Sequence, residues 1–337
     1  MHQACLTDLA GIHIGHYSDH RRPTGCTVVL CPEGATAGVA VVGAAPGTRE
    51  TDLLNPASTI QQVNAIVLSG GSAFGLDVAS GVMRWLKEHD YGLSVGPVRV
   101  PIVPAAVLFD LWVDDFTQPG GSGIYPDANA GYQACVAAIQ YPEAGLTQGN
   151  IGAGTGATVG KLNGPNCAMR GGIGWAAVNI NGITIAAIVA CNAVGDVIDP
   201  DSGLILAGAR TAPDSLICLN AVVAELNGLS SNGLQVGSNT TIGVIMTDAT
   251  LDKAQAQRLA QVGHDGLART IRPVHTAMDG DTLFALATGK NTAPVDPMQM
   301  ATAAGEVTAR AVINAIRHAQ TLHIGNNWFP ACNVAGS

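Results

Sequence analysis

Short apolar runs closed off by glycine recur along this chain, and that rhythm restricts it to folds built from many brief, buried strands. Thr27-Val28-Val29-Leu30, residues 38–42 and Ala65-Ile66-Val67-Leu68 read as such strands. The third runs into Ser69-Gly70-Gly71-Ser72-Ala73-Phe74-Gly75, a strand-to-helix turn, with a helix expected from about Leu76 to Glu88. Residues 175–180 and 183–189 flank Asn181-Gly182, a pair that suits a type I′ hairpin because both residues tolerate positive φ. Residues 216–226 read equally as strand or helix, and 227–238, rich in Gly, Ser and Asn, as an exposed loop. A β-branched strand starts at Thr240-Thr241-Ile242, and Asp248-Ala249-Thr250 offers a helix cap after it. Leu251, Leu259, Val262, Leu267 and Ile271 then form a rough helical stripe ended by Pro273. A strand over 282–287 and a last helix over 298–319 complete the pattern. Blocks of strands with hairpins favour layered sheets covered by helices over a doubly wound parallel sheet.

Composition narrows the function. Net charge is −9 with 16 Lys+Arg and no basic run, so nucleic acid is not an expected partner. Only 12% of the 337 residues are charged, against a usual share of about 25%. Surface hidden between subunits would account for that, so a homo-oligomer is expected. Eight cysteines are scattered without a CxxC pair or zinc-ligand spacing, as buried thiols in a reducing compartment would be. No basic patch leads into an apolar stretch at the start, and no apolar run reaches the ~18 residues of a membrane span. A cytoplasmic protein without membrane or metal is the expectation.

Several residues could carry chemistry. Thr240 lies between a polar loop and a rigid strand. If the bond after Asn239 were cut, the free α-amine of Thr240, of ordinary pKa roughly 7.7–8.0, could take its own hydroxyl proton. The bland alternative is that Asn239-Thr240-Thr241 simply opens a strand. Asp279-Gly280-Asp281 is either an ordinary turn or a carboxylate pair that orients a nucleophile, and it lacks the ligands of a calcium loop. Lys161 ends a glycine-rich stretch, but Leu162 fills the Ser/Thr position of a P-loop, so nucleotide binding is rejected. On pattern alone Lys161 is a surface lysine. Asn192 is either a turn residue or an oxyanion donor. The amides of the 69–75 turn could hold a carbonyl oxygen, or its glycines could serve close packing. His264 and His275 have no partner by spacing.

Taken together, these segments resemble a known family. Pro23-Thr24-Gly25-Cys26-Thr27, Pro46-Gly47-Thr48-Arg49-Glu50-Thr51-Asp52, the turn from Gly70 to Asp77, Val100-Pro101-Ile102-Val103-Pro104, Asn239-Thr240-Thr241-Ile242 and His275-Thr276-Ala277-Met278-Asp279-Gly280-Asp281 carry the likeness. The chain resembles the self-processing hydrolases that include L-aminopeptidase/D-esterase, the β-peptidyl aminopeptidases and the nylon-oligomer endohydrolase, over roughly residues 8–318. The resemblance implies an α/β (α+β) fold of four layers, an αββα sandwich like that of N-terminal-nucleophile hydrolases with a different chain path. It implies one hydrolase domain over 1–337, cut between Asn239 and Thr240 into an α chain (1–239) and a β chain (240–337). It makes Thr240 the nucleophile, completes the site with Lys161, Asn192, Asp279 and Asp281, and needs no cofactor. Phe109, Gly70, Gly71 and Ser72 are expected at the substrate, and the assembly is expected to be a tetramer.

Two departures refine this. The aminopeptidase members use serine and a later Ser-x-Glu pair, whereas this chain has Thr240 and Asp279-Gly280-Asp281, as in the nylon-oligomer branch. Several relatives carry tyrosine where this chain has Phe109. The expected activity is therefore hydrolysis of short peptides or amide oligomers. An aminopeptidase/D-esterase, an acyltransferase resembling ornithine acetyltransferase, and a non-catalytic scaffold are the alternatives.

Overall fold

Strand residues of alternating orientation need something apolar on each face, and here three separate apolar layers meet that need. The computed structural model describes residues 2–115, 122–228 and 237–332. The strands that matter are β1 (His13–Asp19), β2 (Thr24–Val41), β3 (Gln62–Ser69), β4 (Ala105–Val107), β5 (Gly172–Ile180), β6 (Ile183–Asn192), β7 (Thr240–Ala249) and β8 (Thr282–Asn291). The helices are α1 (Val78–Glu88), α2 (Ala128–Gln140), α3 (Lys253–Thr270) and α4 (Pro297–Arg317).

Hydrogen bonds link the strands in the order β5-β6-β7-β8-β2-β3-β4, with β1 also on β2. The 18-residue β2 is shared. Its first half pairs with β1 and β3, its second half with β8, and its register with β3 shifts between Leu30 and Ala35. The core shows that the two wings lie face to face. Val29, Ile66 and Leu68 from one wing share a cluster with Ile188, Val244 and Phe284 from the other, contacts that a flat sheet could not make. The opposite face of β2 and β3, through Val28, Leu30 and Val67, packs on Val82 and Leu86 of α1 and Ala134 of α2. The outer face of β6 to β8, through Ile185, Ile245 and Leu283, packs on Leu259 of α3 and Val307 of α4. The result is an αββα sandwich. Helices α3 and α4 approach closely: a Cβ at Gly266 would stand 2.4 Å from the Gly305 carbonyl oxygen.

Most expected elements are present, with informative differences. Asn181 and Gly182 have φ of 52° and 89°, as the hairpin turn requires. Strand β7 runs through Asp248 to Ala249, so the expected cap at 248–250 is displaced. Asp252 caps α3 instead, in a capping box with Gln255. Of the ambiguous stretch 216–226 only Ala221–Leu226 is helical, and most of the loop expected over 227–238 lies outside the described residues. Helix α2, capped by Asp127, was not anticipated, because its alanine-rich face gives a weak periodic signal.

One feature of this topology builds the site. Strands β7 and β8 are parallel neighbours, with Ile242 opposite Thr282. Parallel strands start at the same end, so the residues just before each of them, 239–240 and 279–281, are brought together.

Candidate active site

Thr240 opens β7 opposite Asn192, the last residue of β6. The peptide between Asn239 and Thr240 is enclosed: Ser238, Asn239 and Thr240 are at most 3% exposed. The Thr240 hydroxyl rests on the Asn239 carbonyl oxygen. That oxygen also accepts the Gly280 N–H at 3.0 Å. Glycine is required there, because a Cβ at position 280 would lie 2.5 Å from the Ala45 carbonyl oxygen and 2.9 Å from Thr240 Oγ1. A donor already aimed at the carbonyl that would become tetrahedral is the arrangement of an oxyanion hole.

The two aspartates are clamped by two consecutive residues. Asp281 accepts the Thr241 N–H on Oδ1 at 2.6 Å, and on Oδ2 the His275 N–H at 3.1 Å, with His275 Nδ1 at 2.8 Å. Asp279 Oδ2 accepts the Thr276 N–H at 3.0 Å and its hydroxyl at 2.5 Å. Burial, and then the neighbouring Asp281, raise the Asp279 carboxyl above the ordinary carboxylate range, and the Thr276 bonds oppose that rise.

Lys161 is buried at 2% exposure, not on the surface. Its Nζ donates to the Asn192 carbonyl at 2.8 Å and to Asn192 Oδ1 at 3.0 Å. Burial lowers its pKa from 10.5 to about 7, against the pull of Asp279. An amine poised there is half neutral near pH 7 and able to accept a proton. Asn192 Oδ1 also accepts the Thr158 N–H, and its Nδ2 donates to the Phe109 carbonyl at 3.0 Å. Asn192 therefore ties Lys161 and Phe109 to Thr240, with one amide hydrogen already engaged. The Phe109 ring meets Trp112 edge-on at 5.4 Å.

The amides of the glycine turn are already engaged: those of Gly70, Gly71 and Ser72 donate to Gly25 O, Asp110 Oδ1 and Leu108 O, which leaves none of the three free for a carbonyl oxygen. Asp110 is itself buried in an ion pair with Arg22 at 2.9 Å. The turn thus braces the Phe109–Asp110 segment from behind. His275, Thr276 and Gly280 also belong to this cluster, through their bonds to Asp281, Asp279 and the Asn239 carbonyl, and had no role assigned from the sequence. The available signal was spacing: Thr276 stands three residues before Asp279, as a side chain that returns to a local acid often does. His264 is the neighbour of His275, with rings 4.8 Å apart, and burial lowers its pKa to about 4.

Comparison with known proteins identifies the family. The sequence profile of peptidase family S58 matches residues 4–327. The chain belongs to peptidase family S58. It is a peptide or amide hydrolase of that family. An uncharacterized aminopeptidase of Mycobacterium leprae (strain TN) is 42% identical over 353 residues, covering 94% of this chain and 91% of that protein. The 6-aminohexanoate-oligomer endohydrolase of Kocuria sp. (strain KY2) is 29% identical over 328 residues, covering 93% and 84%. Among solved structures, the L-aminopeptidase D-Ala-esterase/amidase of Ochrobactrum anthropi, described as a variant of the Ntn hydrolase fold, superposes with a TM-score of 0.66 at 19% identity, covering 97% of this chain and 90% of that one. A Burkholderia sp. beta-aminopeptidase gives 0.64 at 20% identity, covering 96% and 89%. No helix among the described residues is long and apolar enough to cross a membrane.

Proposed function

We propose that this S58 hydrolase cuts its own chain between Asn239 and Thr240 and then uses Thr240 to hydrolyse short peptides or amide oligomers. The observation that carries the reading is the Asn239 carbonyl, which is held by the Gly280 N–H at 3.0 Å and touched by the Thr240 hydroxyl. In maturation the neutral Lys161 amine takes the Thr240 hydroxyl proton, and Oγ forms a bond to the Asn239 carbonyl carbon. The C–N bond breaks, and the proton passes to the departing nitrogen, which becomes the free α-amine of Thr240. Water then hydrolyses the ester, leaving a carboxylate on Asn239 and restoring the hydroxyl. In turnover Thr240 Oγ attacks a substrate amide, its amine carries the proton to the leaving amine, and water releases the acyl group. Asp281 fixes the strand at Thr241, and Gly280 N–H stabilises the oxyanion in both reactions.

The products are an α chain, 1–239, and a β chain, 240–337, of one folded domain. Activity on a blocked di- or tripeptide amide tests this: Thr240→Ser is expected to retain turnover and Thr240→Ala to lose it. Full activity in Thr240→Ala would refute the nucleophile assignment. A second reading, removal of single amino-terminal residues, is favoured by the name of the relative at 42% identity.

A homo-oligomer is part of the proposal. The hairpin of strands Leu93–Val95 and Val98–Val100 pairs Leu93 with Val100 and Val95 with Val98, which places four apolar side chains on one face. They are 37–55% exposed. Val95→Asp with Val98→Asp is expected to lower the mass seen by light scattering; an unchanged mass would exclude this face as the contact.

A further inference from the structure

The residues that precede the scissile bond do more than carry it. Met278 ends a turn closed by the Asp279 N–H on the Thr276 carbonyl at 3.1 Å, and the main chain of 278–280 meets a partner on each side. One side is taken by the chain at 42–45, with the Ala45 N–H on the Asp279 carbonyl at 2.9 Å. The other is taken by residues 237–239, which run parallel to it. Asn239 bridges Asp279 in parallel pairing, the Gly237 N–H donates to the Met278 carbonyl at 3.3 Å, and the Gly280 N–H donates to the Asn239 carbonyl at 3.0 Å. The contact is through the main chain. Among the described residues Asn239 Oδ1 is buried without a hydrogen-bond partner, and its Nδ2 donates to Ser238 Oγ at 3.1 Å.

We propose that residues 237–239 occupy the acyl-side substrate subsite of the uncut chain, and that the mature enzyme binds an extended oligoamide there by the same parallel pairing against Met278 and Gly280. This deepens the function proposed above and rests on cleavage before Thr240. Cleavage removes the covalent bond that holds residues 237–239 at Thr240, so the acyl chain of a substrate can take their place. Once the segment leaves, Met278 C=O and Gly280 N–H form an open strand edge, the surface that peptide ligands join by strand addition. A substrate that fills this edge has amide bonds on the amino side of the cut. The subsite therefore selects internal bonds of a chain over its amino-terminal bond.

The test uses purified, processed enzyme and four chromogenic anilides: Asn-anilide with a free amine, acetyl-Asn-anilide, acetyl-Gly-Ser-Asn-anilide, and the last with sarcosine in place of glycine. The blocked tripeptide is expected to exceed both single-residue substrates in kcat/KM by tenfold or more. Sarcosine, which lacks the N–H that Met278 would accept, is expected to lose about fivefold, the worth of one net hydrogen bond. Equal rates for the sarcosine and glycine substrates, or a preference for free Asn-anilide, would overturn the subsite. Intact mass and Thr240→Ala are run beside it. A cut, Thr240-dependent enzyme that prefers free Asn-anilide removes this inference alone, whereas an uncut active chain removes the proposed function as well.

Discussion

Replacing Lys161 by methionine separates catalysis from stability in a way the structure makes quantitative. The side chain is buried, and its pKa falls from 10.5 to about 7 because burial penalises the ammonium. Below pH 7 the folded chain therefore holds a charge it disfavours. Taken alone, the shift from 10.5 to about 7 is worth up to about 5 kcal/mol at ~1.4 kcal/mol per unit. Methionine removes that cost but leaves the Asn192 carbonyl without its donor, which costs roughly 1–3 kcal/mol. Lys161→Met is thus expected to be more stable than the uncut wild-type chain by about 2–4 kcal/mol at pH 6, while processing stops. The folded wild type binds the lysine proton more weakly than the unfolded chain does, so its stability rises with pH between about 7 and 10.5. The variant's advantage should then shrink by roughly 2–3 kcal/mol between pH 6 and pH 9. Asp279, whose carboxyl loses a neighbouring cation in the variant, changes in the same direction. Denaturant unfolding at the two pH values, with Thr240→Ala present in both proteins so that neither is cut, reads this. A variant that is less stable at pH 6, or a gap that does not narrow by pH 9, would refute the assignment of Lys161 as a buried, easily deprotonated amine.

Other consequences follow from the same geometry. Gly280→Ala would push a Cβ to 2.5 Å from a backbone oxygen and 2.9 Å from the Thr240 hydroxyl, displacing the oxyanion donor. Processing and turnover are expected to fall by roughly 10²–10³ at a cost of roughly 1–3 kcal/mol in stability, and near-normal rates would contradict the donor's role. Thr276→Val removes the hydroxyl that holds Asp279 ionised. The acid limb of the amide-hydrolysis pH profile should move up by about one unit, and Thr276→Ser should restore it; a profile unmoved by Thr276→Val would leave Thr276 with no part in positioning. The wild-type processing rate should rise with pH through about 7, as Lys161 loses its proton. A rate flat from pH 6 to pH 8 would exclude Lys161 as the base.

The sandwich was legible where local chemistry acts alone. The Asn181-Gly182 turn, the β-branched start of β7 and the apolar runs of β2 and β3 each carry their own geometry. What stayed hidden depends on distant partners. Lys161 reads as a surface lysine because nothing near it in sequence reveals that β6 will enclose it and present Asn192. The glycines at 70 and 71 suggest a cradle, but their amides are committed to Gly25 and to Asp110, a buried acid that no local pattern connects to them. Strand β7 outlasts the apparent cap at Asp248, because Asp248 Oδ1 accepts the Thr184 N–H of the neighbouring strand. The clamp formed by His275 and Thr276 also escapes, since it exists only when the turn closes on itself before β8.

The account stands or falls on whether Thr240 becomes a chain terminus. Intact mass spectrometry of freshly purified wild type beside Thr240→Ala decides it. Two fragments, 1–239 and 240–337, should come from the wild type and a single full-length mass from the variant. Wild type that hydrolyses amides while remaining one unbroken polypeptide would contradict it.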